Sequence, residues 1–405
     1  MQDIARARSA SAAIPFDTDK LDNLMEEAGI DVLLATSKHN VQYLLDVERA
    51  IFFDYMDAIG VSRYLPVVIY PRGAPGKAAY IGHRLETHQR DVTRPWVPDL
   101  KTISHGSTDA IALAAQAIRA HGVAAKRIGV ELAFLPADAA RALADAFPDS
   151  EIKDALYVLE RLRAIKTPAE LAKLRTASEL VVESMLDVIA HHGPGHAKRD
   201  IFEALRVAEA TRGLTFEYCL LACGSSHNRA PSQQRWDKGE VMSLDSGGNY
   251  HGYIGDVARM AIQGRPDSEL KDLLAEIEAV QRAAFAAITP GRMGGEIYAA
   301  AERALQAASQ RETTDFVAHG MGLVSHEAPR LTAKGPVCYD ATDATRPLQV
   351  GMVISVETTM KHPRRGFIKL EDTVAVTPTG HEVYGEGGRG WNLGGTALAE
   401  ACRSK

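Results

Sequence analysis

Two periodicities alternate along the first third of the chain. KLDNLMEEAG repeats its apolar residues at helical spacing, with Asp17 and Thr18 in front as a cap and Gly29 behind as a stop, so a helix is predicted there. DVLLAT, LPVVIY and RIGVEL are short apolar runs of the kind that buried strands carry. STDAIALAAQAIRAHG and PADAARALADAF return to the helical period behind a capping residue or a proline. The alternation predicts an α/β domain. Its sequence shows no evident cluster of chemistry-bearing side chains.

A long helical pattern follows, LYVLERLRAIKTPAELAKLRTASELVVESMLDVIAHHG, interrupted near Lys166–Pro168, where Thr167 caps a second helix that begins on proline. The domain boundary is expected here, giving domains over residues 1–158 and 159–405. The second domain sets two more predicted helices, DSELKDLLAEIEAVQRAAFAAI and GGEIYAAAERALQAASQ, among β-rich segments, an α+β pattern. A length of 405 residues agrees, since one ordinary core rarely serves so long a chain.

Composition narrows the class. With 46% hydrophobic and 24% charged residues the chain reads as globular and soluble. A net charge of −6, with acids and bases interspersed, leaves no basic patch, so nucleic acid is not an expected partner. No run approaches the ~20 apolar residues of a membrane span, and MQDIARARSASAAIPF lacks the apolar stretch of a secretory signal. A cytoplasmic protein without a membrane role is the expectation. Cys219, Cys223, Cys338 and Cys402 are too few and scattered for a disulfide framework, and Cys219 and Cys223 lack the second pair of a zinc ribbon. They read as free thiols.

Chemistry concentrates in the β-rich segments of the second domain. Asp245 ends the strand-like VMSL, and Asp256 follows eleven residues later, beyond SGGNYHGY, which reads as a turn joining two strands. Taken singly, either aspartate is a turn cap. Glu357 and Glu371 end the alternating segments GMVISVE and GFIKLE, where a buried glutamate needs a cation or donor to meet it. His319 and His326 flank a glycine-rich turn. His326 and Glu327 do not form half of a zinc-binding HExxH helix, because position 330 is arginine and Pro329 would break that helix. Taken together, four carboxylates and one imidazole read as a dinuclear metal site, able to lower the pKa of a water and clamp a tetrahedral intermediate. Two other motifs carry nothing: the GxGxxG of Gly385, Gly387 and Gly390 precedes no βαβ unit, and Ser226–His227 lacks the elbow of a serine nucleophile.

The order Asp245, Asp256, His319, Glu357, Glu371, with these spacings, resembles the pita-bread-fold metallopeptidases: aminopeptidase P, proline dipeptidase, methionine aminopeptidase and their relative creatinase, peptidase family M24. HNVQYLLD is similar to a segment of the creatinase-type N-terminal domain, and RLRAIKTPAELAKLRTA to the family's interdomain helix. The resemblance implies a creatinase-like α/β N-terminal domain and an α+β pita-bread catalytic domain. It implies that Asp245 chelates one metal, Asp256 and Glu371 bridge, and His319 and Glu357 hold the second. The implied catalytic residues are His227 near the scissile nitrogen, His326 on the tetrahedral intermediate and Glu357 as proton shuttle. The implied cofactors are two divalent ions, Mn²⁺ first given the hard carboxylate shell, with Co²⁺, Fe²⁺ or Zn²⁺ as alternatives. The implied reaction is attack of a metal-bridging hydroxide on a short Xaa-Pro peptide, in a homodimer or higher homo-oligomer.

Three positions depart from the proline-peptidase pattern. Asp315 stands where many have a histidine, Thr358 where proline is usual, and Lys369 where arginine is often found. Lysine keeps the charge but loses the planar fork. The departures, together with a SHNRAP segment similar to creatinase, favour an alternative: a hydrolase of a small non-peptide C–N bond, creatinase- or ectoine-hydrolase-like. Retention of all five ligands argues against a metal-free mechanism of the creatinase kind. A third reading, a binding protein without chemistry, fits the ligand set least.

Overall fold

The computed structural model describes residues 13–47, 60–88, 95–337 and 339–398. Cys338, Cys402 and the first twelve residues lie outside the described residues. The chain divides into two units, Met1–Leu162 and Arg163–Lys405, a boundary four residues beyond the predicted 158.

In the first unit, α1 (Thr18–Ala28) begins at Asp17, whose carboxylate accepts from Lys20 N, and ends at Gly29 with φ of 65°. The strands are β1 (Val32–Ala35), β2 (Val67–Pro71), β3 (Ala79–His83), β4 (Asp99–Ser104), β5 (Arg127–Val130) and β6 (Glu151–Asp154). Helices α2 (Lys38–Leu45), α3 (Ser107–Ala120), α4 (Ala137–Ala146) and α5 (Leu156–Arg163) accompany them. They form one mixed sheet ordered β4-β3-β2-β1-β5-β6. Both faces of the sheet are covered, which is why its strands read as unbroken apolar runs. Leu33, Ala35 and Tyr70 face one core with Leu21, Leu24 and Met25 of α1, while Val32, Leu34 and Ile69 face another with Ala110, Ile111, Ala114 and Leu143. In the HNVQYLLD segment, Asn40 donates to Glu131 Oε1 at 2.5 Å, and the backbone NH groups of Thr36 and Ser37 meet Glu131 Oε2. That segment is an anchor within its own unit.

The second unit carries α6 (Pro168–His191), β7 (His196–Ala197), α7 (Lys198–Thr211), β8 (Thr215–Cys223), β9 (Arg235–Trp236), β10 (Val241–Tyr250), β11 (Tyr253–Ile262), α8 (Ser268–Ala287), α9 (Gly295–Gln306), β12 (Thr314–Gly320), β13 (Val353–His362), β14 (Gly366–Thr377), β15 (Gly380–Tyr384) and β16 (Asn392–Leu393). Thr167 caps α6 reciprocally with Glu170, behind Pro168 in its first turn, as the sequence predicts. The main sheet runs β12-β13-β14-β11-β10-β8, with β15 beside β14 and β16 beside β11. Cys219 and Cys223 are buried free thiols.

One expectation is corrected here. SGGNYHGY is not a turn: only His251 and Gly252, with φ of 50° and 95°, make the reversal, and the rest is strand. Packing explains the glycines. A Cβ on Gly247 would lie 2.4 Å from the Tyr218 ring, and one on Gly248 would lie 2.5 Å from the Val181 side chain of α6. The residues that look like loop chemistry are there so that a ring and a helix can approach the sheet.

Alternation along the strands separates core from chemistry. Leu244 on β10, Ile354 and Val356 on β13, and Leu370 and Val374 on β14 enter apolar clusters. Their neighbours Asp245, Ser355, Glu357, Lys369, Glu371 and Thr373 fall on the opposite faces. Strands β11 and β14 are registered at a single pair, Ala258 with Glu371. Arg259 reinforces that junction with all five of its N–H donors: to the carbonyls of Ala258, Glu371, Gly385 and Gly387 and to Asp372 Oδ1 at 2.7 Å. Arg389 also donates to Asp372, from the other side. The GEGGRG segment therefore supplies backbone acceptors to a buried guanidinium.

Two stability experiments follow. Arg259→Met should destabilise the protein by about 3–5 kcal/mol in urea denaturation, because Asp372 and four carbonyls lose a fully buried donor set. Glu209 on α7 is buried, accepts from Ser246 Oγ at 2.8 Å through one oxygen and has no hydrogen-bond partner for the other. Burial pushes its carboxyl up to about 7, only partly opposed by that hydrogen bond. A folded pKa above the unfolded one means stability is lost as pH rises between the two. Urea melts of Glu209→Gln should therefore converge with wild type near pH 4. Toward pH 8 the difference should move by about 3 kcal/mol in favour of the variant.

Candidate metal centre

The sheet converges five separated segments on one buried cluster. On the β10–β11 hairpin, Asp256 lies opposite Gly247, two residues from Asp245, so both carboxylates emerge from one face. On β13 and β14, Glu357 and Glu371 are directly paired, and His319 on β12 pairs with Ser355 two residues before Glu357. The ligand atoms of Asp256, His319 and Glu371 all lie within 4.8 Å of one another. Asp245, Glu357 and Glu371 are joined through Lys369, whose Nζ is 2.6 Å from Asp245 Oδ2, 2.5 Å from Glu357 Oε2 and 2.8 Å from Glu371 Oε2. The Glu371 contact is an ion pair by distance, not an aligned hydrogen bond, since Oε2 has no partner by hydrogen-bond geometry.

Electrostatics at the cluster call for positive charge. Burial pushes the Asp256 carboxyl well up, and Glu371 and Asp245 push it further. Burial likewise raises Glu371, with Glu357 adding to it, and raises Asp245 against the pull of Lys369. Burial opposes the charge of Lys369, but Asp245, Glu371 and Glu357 outweigh it and hold the ammonium well above its ordinary value. Burial brings His319 down to about 4, so its imidazole is neutral, the form that ligates metals. Nδ1 of His319 donates to the Gly320 carbonyl at 3.3 Å, which leaves the Nε2 lone pair free.

Those free atoms test whether the site fits an ion. Asp256 Oδ1 and His319 Nε2 are both buried, and neither has a hydrogen-bond partner among the described residues. Two such acceptors beside Glu371 are costly unless a cation meets them. The donor set, carboxylates with one imidazole, suits a divalent first-row ion. The residues fit the group.

Around the cluster, His326 stacks on His319 with ring centroids 3.8 Å apart and planes 12° apart. Burial, with His319 and Lys369 nearby, brings it down to about 3, so it too is neutral. The loop that carries it is pinned from behind: Glu327 is paired with Arg163 at 2.7 Å and Lys166 at 3.0 Å. A Cβ on Gly320 would lie 2.3 Å from Pro329 N, which is why this loop needs glycine. His227 is exposed, in the loop after β8, and donates to the His362 carbonyl at 3.3 Å.

Sequence reasoning passed over three participants. Tyr218 donates its hydroxyl to Asp256, and burial of that hydroxyl together with Asp256 and Asp245 drives its pKa well up. Arg229, over the Phe367 ring, reaches Asp245 Oδ2 at 3.3 Å. Neither stands in a recognisable motif. Lys369 is legible as a departure, but its position among three acids is not. Of the other departures, Asp315 is exposed and paired with Lys361, and Thr358 is buried.

Residues 172–378 match the model of metallopeptidase family M24, and residues 18–165 match the creatinase/prolidase N-terminal domain. A Bacillus subtilis protein named uncharacterized peptidase YqhT is 25% identical over 90% of this chain and 96% of its own length. A Pyrococcus furiosus protein named Xaa-Pro dipeptidase is 26% identical over 57% of this chain and 65% of its own. The solved Xaa-Pro dipeptidase from Bacillus anthracis superposes with a TM-score of 0.76 over 93% of this chain and 98% of its own, at 22% identity, a likeness of fold. With its M24 match spanning half its length, over the sheet that bears this cluster, the chain belongs to metallopeptidase family M24.

Proposed function

We propose that this protein is a metal-dependent peptidase of short substrates, an Xaa-Pro dipeptidase or aminopeptidase. The observation that carries the reading is the pair of buried, unpartnered acceptors, Asp256 Oδ1 and His319 Nε2, within reach of Glu371. The names of the Pyrococcus furiosus and Bacillus anthracis relatives support the choice of substrate.

Asp256, His319 and Glu371 would hold a divalent ion, Mn²⁺ first, with Asp245 and Glu357 completing the acidic wall. When bound, such an ion activates water and polarises the scissile carbonyl. Ser355 Oγ, donating to Glu371 Oε1 at 2.7 Å, fixes that carboxylate's orientation. Glu357 is less buried than the other acids and carries a proton to the leaving nitrogen. His326, neutral and with Nε2 unpartnered, binds the oxygen on which charge develops. His227, exposed in its loop, contacts the substrate near the scissile bond.

A second reading, hydrolysis of a small non-peptide C–N bond, draws on one observation. Asp315, where many proline peptidases have histidine, is exposed and paired with Lys361, so it brings no donor to the cluster. Assay of a panel of Xaa-Pro dipeptides, Xaa-Pro-Xaa peptides and proline-free dipeptides separates the two. Expected is turnover of Xaa-Pro substrates that EDTA abolishes and Mn²⁺ restores; metal-loaded protein inert on every peptide would end the peptidase reading. Replacing His326 by alanine should lower kcat about 10²–10³-fold in the same assay with a smaller change in KM.

A further inference from the structure

We propose that Lys369 supplies one of the positive centres of this site, so that the chain holds a single divalent ion, at Asp256, His319 and Glu371. The inference rests on the metal-dependent reading above and concerns only how the positive charge is divided.

The geometry of Lys369 is that of a bound cation. Its Nζ has oxygens from three strands around it, Asp245 of β10, Glu357 of β13 and Glu371 of β14, at 2.5–2.8 Å. Its Nζ donates to Asp245 Oδ2 and is ion-paired at close range with Glu357 and Glu371, so one compact ammonium serves three acids. The atoms of Asp245 and Glu357 that meet Nζ are Oδ2 and Oε2. An ion held through the same oxygens at ~2.0–2.2 Å would compete with Nζ for one location.

Lys369 has no easy way out. It is 4% exposed, stands in the middle of β14 paired with Thr359 of β13, and its backbone NH points at Met260 Sδ at 3.3 Å. Its face of the strand is set by the same two-residue alternation that sets Glu371. Two other atoms tell the complementary story. Asp256 Oδ1 and His319 Nε2 have no hydrogen-bond partner among the described residues, and Glu371 stands between them and Lys369, within reach of both.

Charge agrees with the division. Four carboxylates face the Lys369 ammonium and the Arg229 guanidinium, the latter 3.3 Å from Asp245, which leaves two negative charges. One divalent ion cancels them. A second would give the cluster more positive charge than its four carboxylates carry negative.

The test is metal stoichiometry, read without activity. Protein stripped with EDTA would be titrated calorimetrically with Mn²⁺ and separately with Zn²⁺, followed by elemental analysis and, for Mn²⁺, electron paramagnetic resonance. Expected is about one equivalent per chain and an uncoupled Mn²⁺ spectrum, with Lys369→Met accepting about one more equivalent and showing spin coupling. Two equivalents in the wild type would overturn the proposal and leave the metal-dependent reading intact. A Lys369→Met protein that still takes only one would overturn the role of the lysine. Binding of neither ion would overturn both. If Lys369→Met does not fold, the wild-type stoichiometry and spectrum decide alone.

Discussion

Four carboxylates cannot share a dry cavity unless positive charge lies among them. Burial and mutual repulsion act in the same direction on Asp245, Asp256 and Glu371, each favouring the protonated acid. The energy involved is large compared with the margin by which a domain is stable. Everything near the cluster answers that constraint: Lys369 at its centre, Arg229 at its edge, Ser355 and Tyr218 donating to individual oxygens, and acceptors left open for an ion.

Meeting the constraint requires that strands distant in sequence arrive in register. Alternation alone puts a residue on the correct face, but a slip of one position would turn Glu371 into the core and Asp372 into the cavity. Asp372 shows what the other face demands, since it meets Arg259 and Arg389 instead of a metal site. Arg259 joins β11 to β14 at the single registered pair between them, so the hairpin that bears the aspartates and the hairpin that bears the glutamates keep one spacing. The same economy of position holds at His326, where Arg163 and Lys166 fix Glu327 and thereby the loop beside it.

Function grows from this rigidity. A site built from sheet positions needs no rearrangement of loops to assemble its acids. The two stacked imidazoles differ in what they offer, although burial keeps both neutral. His319 has its Nδ1 committed to the Gly320 carbonyl and its Nε2 open beside the carboxylates; His326 has Nδ1 near Ser325 Oγ and Nε2 open. Two imidazoles with open Nε2 atoms, one on β12 and one in the loop after it, thus stand side by side.

By itself the sequence determined the family, most helices with their caps, and the order along the chain of the four carboxylates and one imidazole that the sheet brings together. These were legible because they are local or ordered: a cap lies within four residues of what it caps, and a ligand series keeps its order along the chain. The glycines of SGGNYHGY misled, because their reason is the approach of Tyr218 and α6, from elements far away in sequence. Tyr218, Arg229 and Arg259 were silent for the same cause: each acts through partners that only the folded sheet brings near. Lys369 could be seen as an unusual residue two before a ligand. That its ammonium would stand among three carboxylates was decided by tertiary structure alone, since the register of four strands fixes where a lysine's last atom can reach.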